Sequence, residues 1–269
     1  MNFSDRIKNV NPSMTLAIDA KAKEMKANGE DVIGFGAGEP DFNTPERIKQ
    51  AGIRAIENNE TRYTPVGGSD ALKEAIISKL QRDNGLTYEK NQILASSGAK
   101  HSFYNLAQVL WQTGDEVIIP APYWVSFPEM VTLAGASPLI IHAGAEQDFK
   151  ITPEQIDNAV TPNTKAIIIN SPSNPTGSAY DKSELEKLAE CALRHNLLII
   201  SDEIYEQIVF DGFHHTSIAS ISKEVQKQCV VINGVSKSYA MTGWRIGYIA
   251  AGDPEITKQI SKLQGQSTS

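Results

Sequence analysis

The chain has 269 residues, a formal net charge of −7 from 25 basic and 32 acidic side chains, and 41% hydrophobic residues. That length suits one large domain or one and a half, with enough apolar content for a substantial core. The acidic balance argues against a nucleic-acid surface, and no apolar run is long enough to span a membrane. The polar start (Asn2, Ser4, Asp5, Arg6) does not read as a secretory leader. Cys191 and Cys229 have no metal or redox spacing, which points to two structural thiols in a reducing cytoplasm.

An amphipathic helix is expected over residues 15–27, closed by Asn28-Gly29, and a glycine-rich loop follows at 34–38. Thr44-Pro45 opens a helix running toward Asn58, with threonine at the cap and proline in the first turn. Another helix spans 70–83. From there strands and helices alternate. A strand at 92–95 precedes a helix at 100–111, then a strand at 116–119 is stopped by Pro120. A helix at 124–133 leads to a strand at 138–142. Thr152-Pro153-Glu154-Gln155 is a capping box for a short helix, and Asp181 with Glu184 is a second one, for a helix reaching His195. Strands at 166–169, 197–201, 230–233 and 246–250 complete the series. Short Val/Ile/Leu runs alternating with amphipathic helices predict an α/β fold, a mostly parallel sheet covered on both faces. In such sheets ligands bind beyond the carboxyl ends of the strands, where Asn174, Asp202 and Lys237 all fall.

The run Ser236-Lys237-Ser238-Tyr239-Ala240-Met241-Thr242-Gly243-Trp244-Arg245 sets a lysine among hydroxyls ahead of an arginine. A lysine that bonds to a carbonyl compound needs a second group to hold that compound still. A phosphate-bearing cofactor gripped by Ser236 and Arg245 meets that need, so the run reads as an attachment site for pyridoxal 5'-phosphate. Alone, the lysine reads as a solvated loop charge. Two further blocks accompany it: Asn170-Ser171-Pro172-Ser173-Asn174-Pro175-Thr176-Gly177 after one apolar strand, and Ser201-Asp202-Glu203-Ile204-Tyr205 at the end of another.

These blocks, in this order, resemble the class I aminotransferases of the fold-type-I pyridoxal-phosphate enzymes, most closely the bacterial aspartate aminotransferases. Gly36-Ala37-Gly38-Glu39-Pro40-Asp41-Phe42 and Pro122-Tyr123-Trp124-Val125-Ser126 extend the likeness through essentially the whole chain. The resemblance implies a three-layer sandwich: residues 46–269 form the large cofactor-binding domain, and 1–45 an arm and a segment of the small domain. It implies that Lys237 carries the cofactor and then shuttles a proton, and that Asp202 rather than Glu203 faces the ring nitrogen. Tyr205 and Asn174 would bond the phenolic oxygen. The plain readings of Asp202, Tyr205 and Asn174 are a strand-end cap, a half-buried aromatic and an ordinary turn.

Ser97-Gly98-Ala99-Lys100, at a strand-to-helix junction, is the expected phosphate cradle, with Ser236 and Arg245 supplying a hydroxyl and a guanidinium fork. By itself that junction is equally a helix start with no ligand. The resemblance further implies that Trp124 stacks on the ring and touches substrate, and that the backbone at Gly38 approaches the amino acid. Lys100 would meet a distal carboxylate, and Tyr63 would reach the neighbouring subunit's phosphate in a homodimer with shared sites. The Gly34/Gly36/Gly38 spacing does not fit a dinucleotide fingerprint, lacking the third glycine at its offset and a surrounding βαβ unit. The five histidines form no metal pattern, and His214-His215 is expected on a solvent-exposed turn.

The implied activity is amino-group transfer between an L-amino acid, aspartate above all, and a 2-oxo acid such as 2-oxoglutarate, in the cytoplasm. Prephenate and other bulky acceptors, a C–S lyase or decarboxylase with the same cofactor residues, and a non-catalytic binding module are the alternatives. Family members continue past this chain's last residue and carry there the arginine for the substrate α-carboxylate. Arg47, Arg54 and Arg62 match no such motif, so the chain is expected to be a fragment.

Overall fold

The structure, a computed structural model, describes residues 2–36 and 38–268; Ala37 of the glycine-rich motif, Met1 and Ser269 lie outside the described residues. Seven strands form one sheet: β1 (Ile93–Ser96), β2 (Glu116–Ala121), β3 (Ser137–His142), β4 (Thr164–Asn170), β5 (Leu198–Asp202), β6 (Cys229–Gly234) and β7 (Gly247–Ala251). Their spatial order is β1-β7-β6-β5-β4-β2-β3. The helices are α1 (Asp5–Lys8), α2 (Met14–Ala27), α3 (Glu46–Glu57), α4 (Asp70–Asn84) and α5 (Ala99–Leu110), then α6 (Ser126–Leu133), α7 (Pro153–Ala159), α8 (Lys182–Arg194), α9 (Lys223–Lys227) and α10 (Pro254–Gln264). Among the described residues, no helix is long and apolar enough to cross a membrane.

Alternation along the strands builds two cores. Ile167, Ile169, Ile199 and Val231 face one side, against Leu80 of α4, Ile156 of α7 and Leu188 of α8. Ile168, Ile200, Val230 and Ile232 face the other, against Phe103 of α5, Val131 of α6 and Ile260 of α10. Successive strand residues point to opposite faces, so an unbroken isoleucine run is what a strand covered on both sides requires. Burying each such side chain contributes roughly 1.5–3 kcal/mol. The three-layer α/β expectation holds. The helices α1, α2 and α3 contribute no buried residue to either core.

Several local expectations change. Pro120 does not stop its strand: β2 continues to Ala121 and pairs with β3 throughout, while its register with β4 ends at Ile118. Past Ile118 only one side is paired, so a position lacking an N–H donor is tolerated. Thr44 does not cap α3, whose N-cap is Pro45; its hydroxyl donates to the Ala240 carbonyl instead. Both capping boxes form as expected, at Thr152/Gln155 and Asp181/Glu184. Helix α10 went unread, although Asp253-Pro254-Glu255 is a cap followed by proline at the first helical position, and Asp253 accepts from the Glu255 N–H.

One topological detail positions the site. β7 runs antiparallel to both β6 and β1, so its amino end lies beside the carboxyl ends of its neighbours, with Gly247 opposite Ser96 and Gly234. Residues just before β7 therefore converge with those just after β1 and β6. Gly247 is needed there, because a Cβ would run into the backbone of Gly98 and Ala99.

Candidate active site

A cleft of about 840 Å³ opens beyond the carboxyl ends of β4, β5 and β6. Lys100, Trp124, Asn174, Asp202, Tyr205, Ser236, Lys237, Arg245, Ala99 and Gly38 all line it. Chain segments far apart in sequence thus meet on one rim, the place open parallel sheets reserve for ligands. Gly98 caps α5 just behind that wall with φ +87°, and a Cβ there would strike the Arg245 guanidinium. Tyr63 is elsewhere: it is 96% exposed and does not line the cleft of its own chain.

Asp202 ends β5 and is buried. One carboxylate oxygen accepts from the Ile204 N–H at 3.2 Å, and no cation pairs with it among the described residues. Burial pushes its carboxyl up to about 7, the Ile204 bond works against that, and the charge of Glu203 adds to it. Glu203, the rival acid, points away from the cleft. Ser201 and Ser217 donate to it at 2.8 and 2.6 Å, and the His215 ring lies 3.3 Å away. Burial works to raise its carboxyl, but His215 and the serines outweigh that and hold it low. His215 is therefore not the solvent-exposed histidine expected: its side chain is 7% exposed because a buried carboxylate needs a partner.

Lys237 lies on the turn after β6, with its amine donating to the Gly38 carbonyl and standing 5.7 Å from the centre of the Tyr205 ring. Burial lowers its pKa from the ordinary lysine range; Glu39 opposes this and Arg245 adds to it. The Tyr205 phenol is raised by burial and by the nearby Asp202 charge, while Asn174 Nδ2, 3.4 Å from its oxygen, works the other way. Asn174 is itself held by its N–H donating to Asn170 Oδ1 at 2.8 Å. Arg245 donates to the carbonyls of Thr242 and Ser97, at 2.8 and 3.2 Å, so its fork stands at the start of α5. Lys100 lies 4.9 Å over the Trp124 ring and is lowered by burial and by Arg245.

Sequence reasoning missed Thr15, Phe35, Glu39, Tyr123, Asn170 and Thr242 as cleft residues. Asn170 was findable, since it is the last residue of β4 at the strand's carboxyl end. Thr15 comes from the first turn of α2, Thr242 from a short helical turn before β7, and Phe35, Glu39 and Tyr123 from loops, and no local pattern encodes where those segments dock.

Fold and cleft together define an α/β enzyme that presents a half-buried amine, a buried acid with no cation paired to it among the described residues, and an arginine beyond the carboxyl ends of the central strands. The chain belongs to the class I and II aminotransferases, whose family matches residues 30–269. It is 59% identical over 267 residues to the aspartate aminotransferase of Bacillus sp. (strain YM-2), covering 99% of this chain and 68% of that relative. The aspartate aminotransferase of Geobacillus stearothermophilus is 56% identical across 100% of the chain and 68% of its own length. A solved structure of the Thermus thermophilus aspartate aminotransferase with maleate superposes with a TM-score of 0.96 at 41% identity, covering 100% of this chain and 69% of that one. The chain thus spans about two thirds of the length of the relatives it matches.

Proposed function

We propose that this aminotransferase moves the amino group of L-aspartate to 2-oxoglutarate with pyridoxal 5'-phosphate as its cofactor. The single observation that carries the reading is that Lys237 and Asp202 line one cleft, the first with its amine made less basic and the second with no cation to balance it among the described residues. The residues fit the cofactor. Gly98, having no Cβ, lets the Arg245 guanidinium pack against the N-terminus of a twelve-residue helix, so a cation and a helix end that favours an anion face the same space. A buried acid with no cation paired to it among the described residues suits a cationic ring nitrogen, which would draw Asp202 to its charged form.

Gly98, Ala99, Ser236 and Arg245 would hold the phosphate, Asp202 the ring nitrogen, Asn174 and Tyr205 the phenolic oxygen, and Trp124 the ring face. When bound, the pyridoxal group supplies an aldehyde for a primary amine and a ring that takes up electron density as a bond at the α-carbon breaks. Lys237 would hold the cofactor until the amino acid displaces it, and its freed Nζ, made less basic by burial, would take the α-proton and pass it to the carbon that keeps the nitrogen. The phenol of Tyr205 and the amide of Asn174 would hold their acceptor in place without carrying protons themselves. Lys100, held over Trp124, offers a cation to a distal carboxylate, and the Gly38 backbone borders the same space. Maleate in the Thermus relative is a dicarboxylate too, which supports a dicarboxylic substrate.

The same reading makes residues 1–45 an arm and small-domain segment on a large domain of 46–269, in a cytoplasmic homodimer. Tyr63, outside its own cleft, would then complete the partner's. Two buried free thiols, Cys191 and Cys229, suit a reducing compartment.

The test is reductive labelling. Borohydride treatment of the cofactor-loaded protein is expected to fix one pyridoxyl group on the Lys237 peptide, and Lys237→Ala is expected to lose both the label and the visible absorption band. A label retained in Lys237→Ala overturns the assignment. Aspartate should bleach the visible band without release of CO₂; release would identify a decarboxylase instead.

A further inference from the structure

Behind the cleft lies a buried network that the proposed reaction does not use. The turn after β5 divides its residues between two sides: Asp202 and Tyr205 line the cleft, while Glu203 and Glu206 point into the protein, closed by a bond from the Glu206 N–H to the Glu203 carbonyl. Glu206 is 4% exposed and joins three segments. It pairs with Lys79 of α4, accepts from Asn84 Nδ2 at 2.9 Å, and accepts from Asn233 Nδ2 at 2.9 Å. Asn233, near the end of β6, in turn accepts from the Gly234 N–H at 2.7 Å. Three residues after Gly234 comes Lys237. A Cβ at Gly234 would crowd the Ile246 carbonyl and the Ile204 side chain, so the two turns are packed together with little slack.

A buried ion pair is weak evidence for stability, since apolar residues of similar volume commonly serve as well. What such a pair does supply is a defined geometry. We propose that Glu206 is a positioning residue: by bridging α4 to the end of β6 it holds the Lys237 turn in register with the turn that carries Asp202 and Tyr205. Loosening the bridge would let the amine of Lys237 swing out of its half-buried place. This rests on the role given to Lys237 above.

The groups facing the Lys237 amine are Tyr205, Asp202, Glu39, Arg245 and Lys100. Those facing Glu206 are Lys79 and Tyr248, with the Glu203–His215 pair beyond them. The experiment measures the amine directly in the cofactor-free protein, by trace acetylation across pH with the Lys237 peptide quantified by mass spectrometry. Two double variants remove both buried charges: Lys79→Met with Glu206→Gln, which can still accept from Asn233, and Lys79→Met with Glu206→Met, which cannot. The glutamine pair is expected to keep the wild-type midpoint, and the methionine pair to move it up by at least about half a pH unit, toward an exposed lysine. A common midpoint for all three proteins, or an equal shift in both variants, overturns the proposal. Should the methionine pair not fold, Asn233→Ser, whose hydroxyl stops short of Glu206, is read in its place with the same expectation. Borohydride labelling at a different lysine would sink the proposed function while leaving this titration readable, so the two failures are distinct.

Discussion

Asp202 shows how much of a residue's chemistry is decided by its surroundings. An aspartate in water ionises near pH 4, whereas burial with one backbone donor pushes this one up to about 7. The sign of the consequence follows from linkage. A raised carboxyl favours the protonated folded state, so that contribution is complete below about pH 4 and is lost as pH rises through about 7. The cofactor-free protein is therefore expected to lose up to a few kcal/mol over that window, and Asp202→Asn to flatten the slope of melting temperature against pH. An unchanged slope in the variant would mean that Asp202 is charged throughout. Gly98 supports a second expectation. With φ +87° and no room for a Cβ beside Arg245, Gly98→Ala should weaken binding of inorganic phosphate or cofactor by an order of magnitude or more, measured by titration of the apo protein. Asp202 was legible as an acid at a strand end; that it has no counter-charge among the described residues was not, because that depends on which side chains other segments bring near.

All seven strands were readable, and among the helices that frame the sheet those opened by a capping box were the clearest, for reasons their ends show. Thr152 and Gln155 satisfy each other's backbone N–H groups, at 2.9 and 3.4 Å, a pattern written within four residues. Thr152→Ala is expected to cost about 1 kcal/mol in denaturant unfolding. By contrast, nothing local announces the clasp between α7 and α8. Arg194 grips Asp157 at 2.7 and 2.8 Å, the His195 ring lies 2.6 Å from the same carboxylate, and Arg194 first, then His195, hold it down to about 2. A depressed carboxyl contributes stability above its unfolded value near 4 and loses it as pH falls toward 2. Asp157→Asn should thus lower the melting temperature at pH 6, with the difference from wild type vanishing near pH 2. The pair is half exposed, and solvent screening keeps the effect small.

At the level of the complete molecule, the surface is uneven. Leu16 and Ile18 on α2 and Ile53 and Ile56 on α3 are all exposed, although the sheet and its covering helices are tightly filled. Tyr63, a few residues past α3, is exposed as well. In the proposed homodimer, sedimentation equilibrium should give twice the 29.3 kDa chain mass. Tyr63→Phe should then weaken cofactor binding roughly tenfold, the worth of one hydrogen bond to a charged group, with the dimer intact. Unchanged affinity would remove Tyr63 from any site.

By itself the sequence determined the strands, most of the helices and the layering, because periodicity, caps and strand-end residues act over a few positions along the chain. It also marked Lys237, Asp202, Asn174 and Arg245, each adjoining a readable strand. Only the tertiary structure decided that β7 runs backwards between β1 and β6 and so delivers Arg245 to the start of α5. It likewise decided that His215 is enclosed against Glu203 and that Glu206 reaches Asn233. Those outcomes depend on pairing and desolvation between distant segments, and burial becomes a property of a residue only once the chain has closed around it.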